Sequence, residues 1–207
     1  MTIELYNEDC MIGMRRYPDK HFELAIVDPP YGIGDFVQSD RKYNCNWNNC
    51  IPSSNYFSEL VRISKEQIIW GANYYNCFTK GGAIVWNKKN PHPCMSQCEI
   101  ASYSGQKKVD FFELAYFGTV NCDHQARFHP SAKPVKLYEW LLKNYAKQGD
   151  KILDTHLGSG SIAIACYNLD FDLTGFEIDK DYFDGAVNRL EEHKKQGRLF
   201  DAMSARL

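Results

Sequence analysis

An apolar run that closes on an acid, two prolines and an aromatic ring, Leu24-Ala25-Ile26-Val27-Asp28-Pro29-Pro30-Tyr31-Gly32, leaves this chain few ways to fold around it. The run reads as a strand apolar enough to be buried on both faces. The prolines end it, because neither can donate a ladder hydrogen bond and each fixes its own φ. Asp28 precedes a proline and is biased to extended backbone. The product is a stiff corner at the carboxyl end of a strand, carrying a carboxylate, backbone carbonyls freed from the sheet and an aromatic face. Open α/β sheets bind ligands at that end of their strands. Taken alone, the stretch reads equally well as a strand and a turn, so the rest of the chain has to decide.

The flanking segments supply the grammar of a parallel sheet. Ile3 to Tyr6 alternates like a strand and ends at Asn7-Glu8-Asp9, with a short helix expected over residues 10–17. Ser53-Ser54 opens a helix with an apolar stripe of Tyr56, Phe57, Leu60, Val61 and Ile63. Strands are expected at 67–70 and 83–86, with a short helix over 74–78 between them. This β-α-β-α-β order implies helical crossovers. Residues 94–108 are ambiguous, and 109–117 alternates like a strand, expected antiparallel at the far edge. A helix over 132–147 carries Pro134 in its first turn. Strands at 151–154 and 172–177 bracket an apolar helix at 162–167, and a charged helix runs over 181–196 before an end that reads as frayed. One domain over residues 1–207 is the expectation for this length, with inserted loops at about 35–50 and 88–128.

Composition excludes several classes. The formal net charge is -2, so contact with nucleic acid has to use local patches rather than a global basic field. No apolar run approaches the ~20 residues that span a bilayer, and the N-terminus lacks the basic-then-apolar pattern of a signal peptide. A cytoplasmic location and reduced thiols for the eight cysteines follow by default. His92, Cys94, Cys98, Cys122 and His124 hold ligand-type side chains, but none forms a C-x-x-C knuckle, so no metal is expected.

A second ligand-binding pattern appears late. The strand ending at Asp154 runs into Gly158-Ser159-Gly160-Ser161, then a helix, then a strand ending at Glu177. Glycines let a backbone approach a ligand, a helix N-terminus offers free N–H groups, and an acid at the next strand's end accepts from ribose hydroxyls. Gly158-x-Gly160-x-x-Ala163 also fits a dinucleotide fingerprint. The Asp28 corner lacks a cradle for such a ligand, and the Asp154 loop lacks a reactive corner. If their strands are neighbours, one site binds a cofactor and the other holds what reacts with it.

These segments together resemble the S-adenosylmethionine-dependent DNA amino-methyltransferases. Asp28-Pro29-Pro30-Tyr31 matches the family's D-P-P-Y, His129-Pro130-Ser131-Ala132-Lys133-Pro134 its H-P-T-Q-K-P segment, Asp154 to Ser161 its D-P-F-x-G-S-G-T loop, and Asn7 to Cys10 its acidic turn. The order, D-P-P-Y early and glycine loop late, is similar to the circularly permuted β class. Thr155 and His156 replace the usual Pro and Phe, and Ser131-Ala132 replaces Thr-Gln. The resemblance implies a three-layer Rossmann-like α/β fold, a seven-stranded mostly parallel sheet with one antiparallel strand near an edge. It implies S-adenosylmethionine as cofactor. Asp154, Gly158, Ser159 and Gly160 would face its methionine part, Glu177 the ribose, Asp9 the adenine amine, and Ser131 and Lys133 the carboxylate side. Asp28 and the Pro29 carbonyl would accept the hydrogens of the target amine, Pro30 would fix the bend and Tyr31 would stack on the base. By the same resemblance, an acid at position 28 implies adenine N6 rather than cytosine N4 as the target, a tendency of the family. DNA would be contacted by Arg41, Lys42 and Trp47 in the first loop and by Lys88, Lys89, Lys107 and Lys108 in the second. So small a reading surface implies a short site or a homodimer. The competing readings are a methyltransferase acting on RNA or a protein amide, an NAD-dependent oxidoreductase, and an inactive paralogue that only binds DNA.

Overall fold

The computed structural model describes residues 1–34, 46–78, 80–91, 96–116 and 128–204, without the side chains of 46, 47 and 198–204. The strands are β1 (Ile3–Asn7), β2 (Phe22–Val27), β3 (Ser64–Trp70), β4 (Gly82–Asn87), β5 (Cys98–Tyr103), β6 (Val109–Glu113), β7 (Lys151–Asp154) and β8 (Asp172–Glu177). The α-helices are α1 (Cys10–Met14), α2 (Ser54–Ile63), α3 (Ala72–Tyr75), α4 (Val135–Tyr145), α5 (Ser161–Leu169) and α6 (Lys180–Ser204).

One sheet holds all eight strands in the order β1-β8-β7-β2-β3-β5-β4-β6. β5 runs antiparallel to both its neighbours, and the other pairings are parallel. The mostly parallel α/β fold agrees with expectation, with eight strands in place of seven. The antiparallel strand is β5, in the stretch that sequence left ambiguous, and it lies inside the sheet rather than at its rim. β6 is the far-edge strand but runs parallel to β4, correcting the antiparallel expectation. α6 also continues to Ser204, beyond the end expected for it.

β2 shows why both faces are covered. Leu24 and Ile26 point into a cluster with Leu137 and Leu141 of α4 and Ile162 and Cys166 of α5. Ala25 and Val27 point the other way, against Met14 of α1 and Tyr56, Leu60 and Ile63 of α2. A strand buried on both sides has no polar alternation to display, and its sequence shows none. The crossover through α2 leads from β2 to β3, and the one through α5 leads from β7 to β8, on the other side of β2. The β2–β7 boundary is therefore the point where strand order reverses, and the crevice above it is where such a sheet opens to ligands.

Candidate active site

A cavity of about 490 Å³ lies over the carboxyl ends of β2, β7 and β8, lined by Asp28, Pro30, His129, Ser131, Lys133, Gly158, Ser159, Glu177, Asp179 and Tyr182, among others. The two patterns read separately in the sequence thus meet, because β2 pairs directly with β7. A second cavity of about 220 Å³ shares Pro30 and His156 with the first surroundings and adds Cys10, Met11, Cys50, Ile51 and Tyr56.

The glycine loop is built for close approach. Gly158 has φ +52° and Gly160 φ +72°, both in the left-handed region, and a Cβ on Gly160 would lie 2.9 Å from that of Ala186. Glu177 accepts from the backbone N–H of Gly158 (2.8 Å) and of Asp179 (3.0 Å), which fixes its carboxylate at the cavity wall. Burial raises its pKa. Asp154 is more deeply buried and accepts from the His156 N–H at 3.0 Å. Desolvation, with smaller contributions from Asp28 and Glu177, pushes its carboxyl up to about 8. Arg189, buried on α6, donates to the Ser159 carbonyl (2.7 Å) and Ser161 Oγ (2.9 Å) and so braces the loop from behind. Asp9 caps α1 through the Met11 N–H at 2.8 Å, next to the second cavity.

At the corner, Asp28 uses both oxygens. Oδ1 accepts from the Tyr31 hydroxyl and Oδ2 is ion-paired with Lys133. Lys133 Nζ also lies 3.2 Å from the Tyr31 hydroxyl and 3.1 Å from Glu99 Oε2. The Pro29 carbonyl accepts from the Tyr75 hydroxyl, which reaches the Pro30 carbonyl as well, at 2.7 Å. The Tyr31 ring is stacked on Tyr74, centroids 4.9 Å apart and planes 15° from parallel. Sequence reasoning missed Tyr74 and Tyr75, although their place just past the end of β3, beside β2, was a usable signal. It also missed Glu99, for which no signal existed while β5 was unrecognised. Asn48 was missed too. It is buried, accepts from the Tyr31 N–H at 2.9 Å and donates to the Gly34 carbonyl at 3.0 Å, pinning the end of the first loop to the corner.

A family model described as DNA methylase (N6_N4_Mtase) matches residues 42–188. The chain belongs to this DNA methylase family. Type II methyltransferase M.HpaI of Haemophilus parainfluenzae is 24% identical, covering 100% of this chain and 79% of that protein. M2.MboI of Moraxella bovis is 23% identical over 92% of this chain and 88% of its own. Among solved structures, the M1.HpyAVI–SAM complex matches with a TM-score of 0.62 at 21% identity, covering 91% of this chain and 100% of that one. The PvuII DNA methyltransferase, described as cytosine-N4-specific, gives 0.64 at 11% identity over 94% and 91%.

For a DNA methylase, the remaining sequence candidates divide sharply by position. Arg41 and Lys42 lie outside the described residues, and of Trp47 only the backbone is described, in a 3-10 turn at Asn46–Asn49. Lys88 and Lys89 follow β4 at the carboxyl edge of the sheet, on the cavity side. They are not free cations: Lys88 is ion-paired with Glu99, and Lys89 with Glu113 at 2.6 Å. Lys107 and Lys108 precede β6, which is parallel to β4, so they stand at the opposite edge from the cavity. His156 packs edge-on to Tyr56 with centroids 5.4 Å apart, and burial pushes its pKa down to about 4, leaving a neutral ring. Among the described residues, no group of three acidic, His or Cys side chains is gathered to hold a metal ion.

Proposed function

We propose that this methylase transfers a methyl group from S-adenosylmethionine to the N6 amine of an adenine turned out of a DNA duplex. The observation that carries this reading is Asp28 at the wall of a cavity that Gly158, Ser159 and Glu177 also line, with Asp154 buried at the end of the strand paired with β2. The residues present fit the cofactor. Gly158 lines the cavity where a Cβ would crowd the His129 ring at 3.1 Å, Glu177 presents a fixed acid at a strand end, and the cavity is open to a ligand of nucleoside size. When bound, the cofactor supplies a sulfonium methyl. Asp154, Gly158, Ser159 and Gly160 would hold its amino-acid part, Glu177 the ribose, Asp9 the base, and Ser131 the outer carboxylate, while Lys133, expected at that same carboxylate, is paired with Asp28 and is read here as part of the corner.

The chain's own work is orientation. An exocyclic amine is conjugated with its ring and is a weak nucleophile until its lone pair is turned outward. Asp28 and the Pro29 carbonyl, held apart by two rigid prolines, accept its two hydrogens and face the positive charge that develops on nitrogen. The base reaches them by leaving the stack, at a cost of a few kcal/mol. Its entry displaces the Tyr31 and Tyr75 hydroxyls that now fill those acceptors. The cytosine-N4 alternative rests on the likeness to the N4-specific PvuII fold. We read the chain as one domain in the permuted motif order, acting on DNA in a bacterial or phage-infected cytosol. The regions around 35–50 and 88–128 would meet the duplex. Lys107 and Lys108 are dropped from that surface because of where they stand.

The deciding experiment is sequencing of DNA exposed to the purified protein, with modified bases identified. N6-methyladenine at one short site is expected, and N4-methylcytosine would move the assignment to the alternative. Asp28→Ala is expected to lower transfer by on the order of 10²–10⁴-fold while S-adenosylhomocysteine still binds. Loss of that binding would make Asp28 a cofactor residue instead.

A further inference from the structure

Glu99 is a half-buried acid that the proposed chemistry does not use. It projects from β5, the one antiparallel strand described, into the wall behind the Asp28 corner. Its Oε1 is paired with Lys88 and its Oε2 lies 3.1 Å from Lys133 Nζ, which is in turn paired with Asp28 Oδ2. The four groups form a chain of alternating charge, Lys88, Glu99, Lys133, Asp28, with side-chain exposures of 20%, 21%, 4% and 17%. Lys133 also sits over the ring of Trp70 at 5.4 Å.

We propose that Glu99 is a positioning residue for methyl transfer, acting through Lys133: it draws the ammonium back from Asp28, so that Asp28 stays oriented by one oxygen and keeps enough negative charge to receive the target amine with the other. The proposal rests on the methyltransferase reading of the corner. A fold that needed only to bury Lys133 would be served by Asp28 alone, and a second, partly desolvated carboxylate with its own lysine carries a cost. With Asp28 as its sole counterion, the ammonium would neutralise the carboxylate that must face a nitrogen becoming cationic. Shared between two acids, it holds Oδ2 in place and leaves Oδ1, which accepts from the Tyr31 hydroxyl, as the exchangeable oxygen.

Glu99 and Lys133 are both charged at neutral pH. Burial pushes the Glu99 carboxyl up, but Lys133 and Lys88 more than offset it and hold it at about 2. Burial pushes Lys133 down, and Asp28 and Glu99 together return it above its ordinary value. The groups facing Lys133 are Asp28 and Tyr31 from the corner, Glu99 with Lys88 behind it, His129 from the preceding loop and Asp154 from β7.

The test is Glu99→Gln, which keeps the shape and removes the charge. Single-turnover transfer is expected to fall roughly 10- to 100-fold, the scale on which partners behind a first contact are felt, with the KM for S-adenosylmethionine unchanged. Because Lys133 then has one anion fewer, its ammonium deprotonates at a lower pH. The alkaline limb of the kcat profile moves down with it, and so does the Lys133 Nζ titration followed by NMR in protein without DNA. Glu99→Asp, which keeps the charge at a longer reach, is expected to recover part of the rate, and it carries the test should E99Q not fold. Wild-type rate and titration in both variants overturn the proposal. So does a loss of rate with lowered melting temperature and an unshifted Lys133 titration, the outcome of a merely structural role. Wild-type protein that binds S-adenosylhomocysteine yet methylates no DNA overturns the methyltransferase reading itself, and is recognised without any variant.

Discussion

Asp154 combines deep burial with a pKa of about 8, against roughly 3.9 for an exposed aspartate. Between those values the unfolded chain has released a proton that the folded protein keeps. Its contribution to stability is therefore complete below about pH 4 and is lost as pH rises through about 8. Asp154→Asn removes the titration. We expect its melting temperature to fall less steeply over that window than the wild type's, with a gain on the order of 1 kcal/mol at pH 8, alongside weakened binding of S-adenosylhomocysteine. Thermal melts at matched pH values check the first part and calorimetry the second. The acid was legible in the sequence, as were Asp28 and Glu177, because each stands at the end of a stretch that reads as a strand. What surrounds them was not. That Tyr31 is stacked on Tyr74, and that Lys133 turns to Asp28, depends on side chains from α3 and β5 that no local pattern assigns to the corner.

Among the elements, the turn from β7 into α5 is under two constraints at once. Gly160 is the N-cap of α5 in left-handed backbone, packed against Ala186 of α6. Gly160→Ala adds both backbone strain and an overlap that only movement of α6 relieves, together about 1–3 kcal/mol. For a chain this size that is a drop of several degrees in melting temperature. Weaker S-adenosylhomocysteine binding is expected with it, since Arg189 on the same helix braces the Ser159 carbonyl. An unchanged melting curve would show that α6 yields freely. The strands β1 to β4, β7 and β8 could be read from runs or alternation, and α2, α4 and α5 from their apolar stripes. β5 could not. Cys98-Glu99-Ile100-Ala101-Ser102-Tyr103 mixes a paired acid and a buried serine into a strand flanked on both sides, so neither alternation nor a continuous apolar run marks it. With β5 unseen, the direction of β6 was also unreadable.

At the scale of the molecule, the sheet separates two populations of lysine. Lys89 stands at the cavity edge and Lys107 at the far edge, the full length of β4 away. With a net charge of -2, DNA is not drawn in by the molecule as a whole, and under the proposed orientation cations at the cavity edge, Lys89 with its Glu113 partner among them, would contribute and those at the far edge would not. Lys89→Glu is expected to weaken DNA binding and to reduce the salt slope by about one, while Lys107→Glu leaves both unchanged. Titrations at several salt concentrations distinguish the two edges, and an equal effect of both substitutions would discard this orientation.

β1 pairs along its whole length with β8, and the Asn7 side chain donates to the Glu177 carbonyl 170 residues away. During synthesis, β2 and β3 can find each other early, through the short α2 crossover. β1 has to wait, its edge unsatisfied, until nearly the last strand has left the ribosome, and such distant closures are slow. The half of the sheet that carries Asp9, Asp154 and Glu177 is thus the last to form on a growing chain. A partly made protein would own the Asp28 corner without the strand ends that are proposed to hold the cofactor.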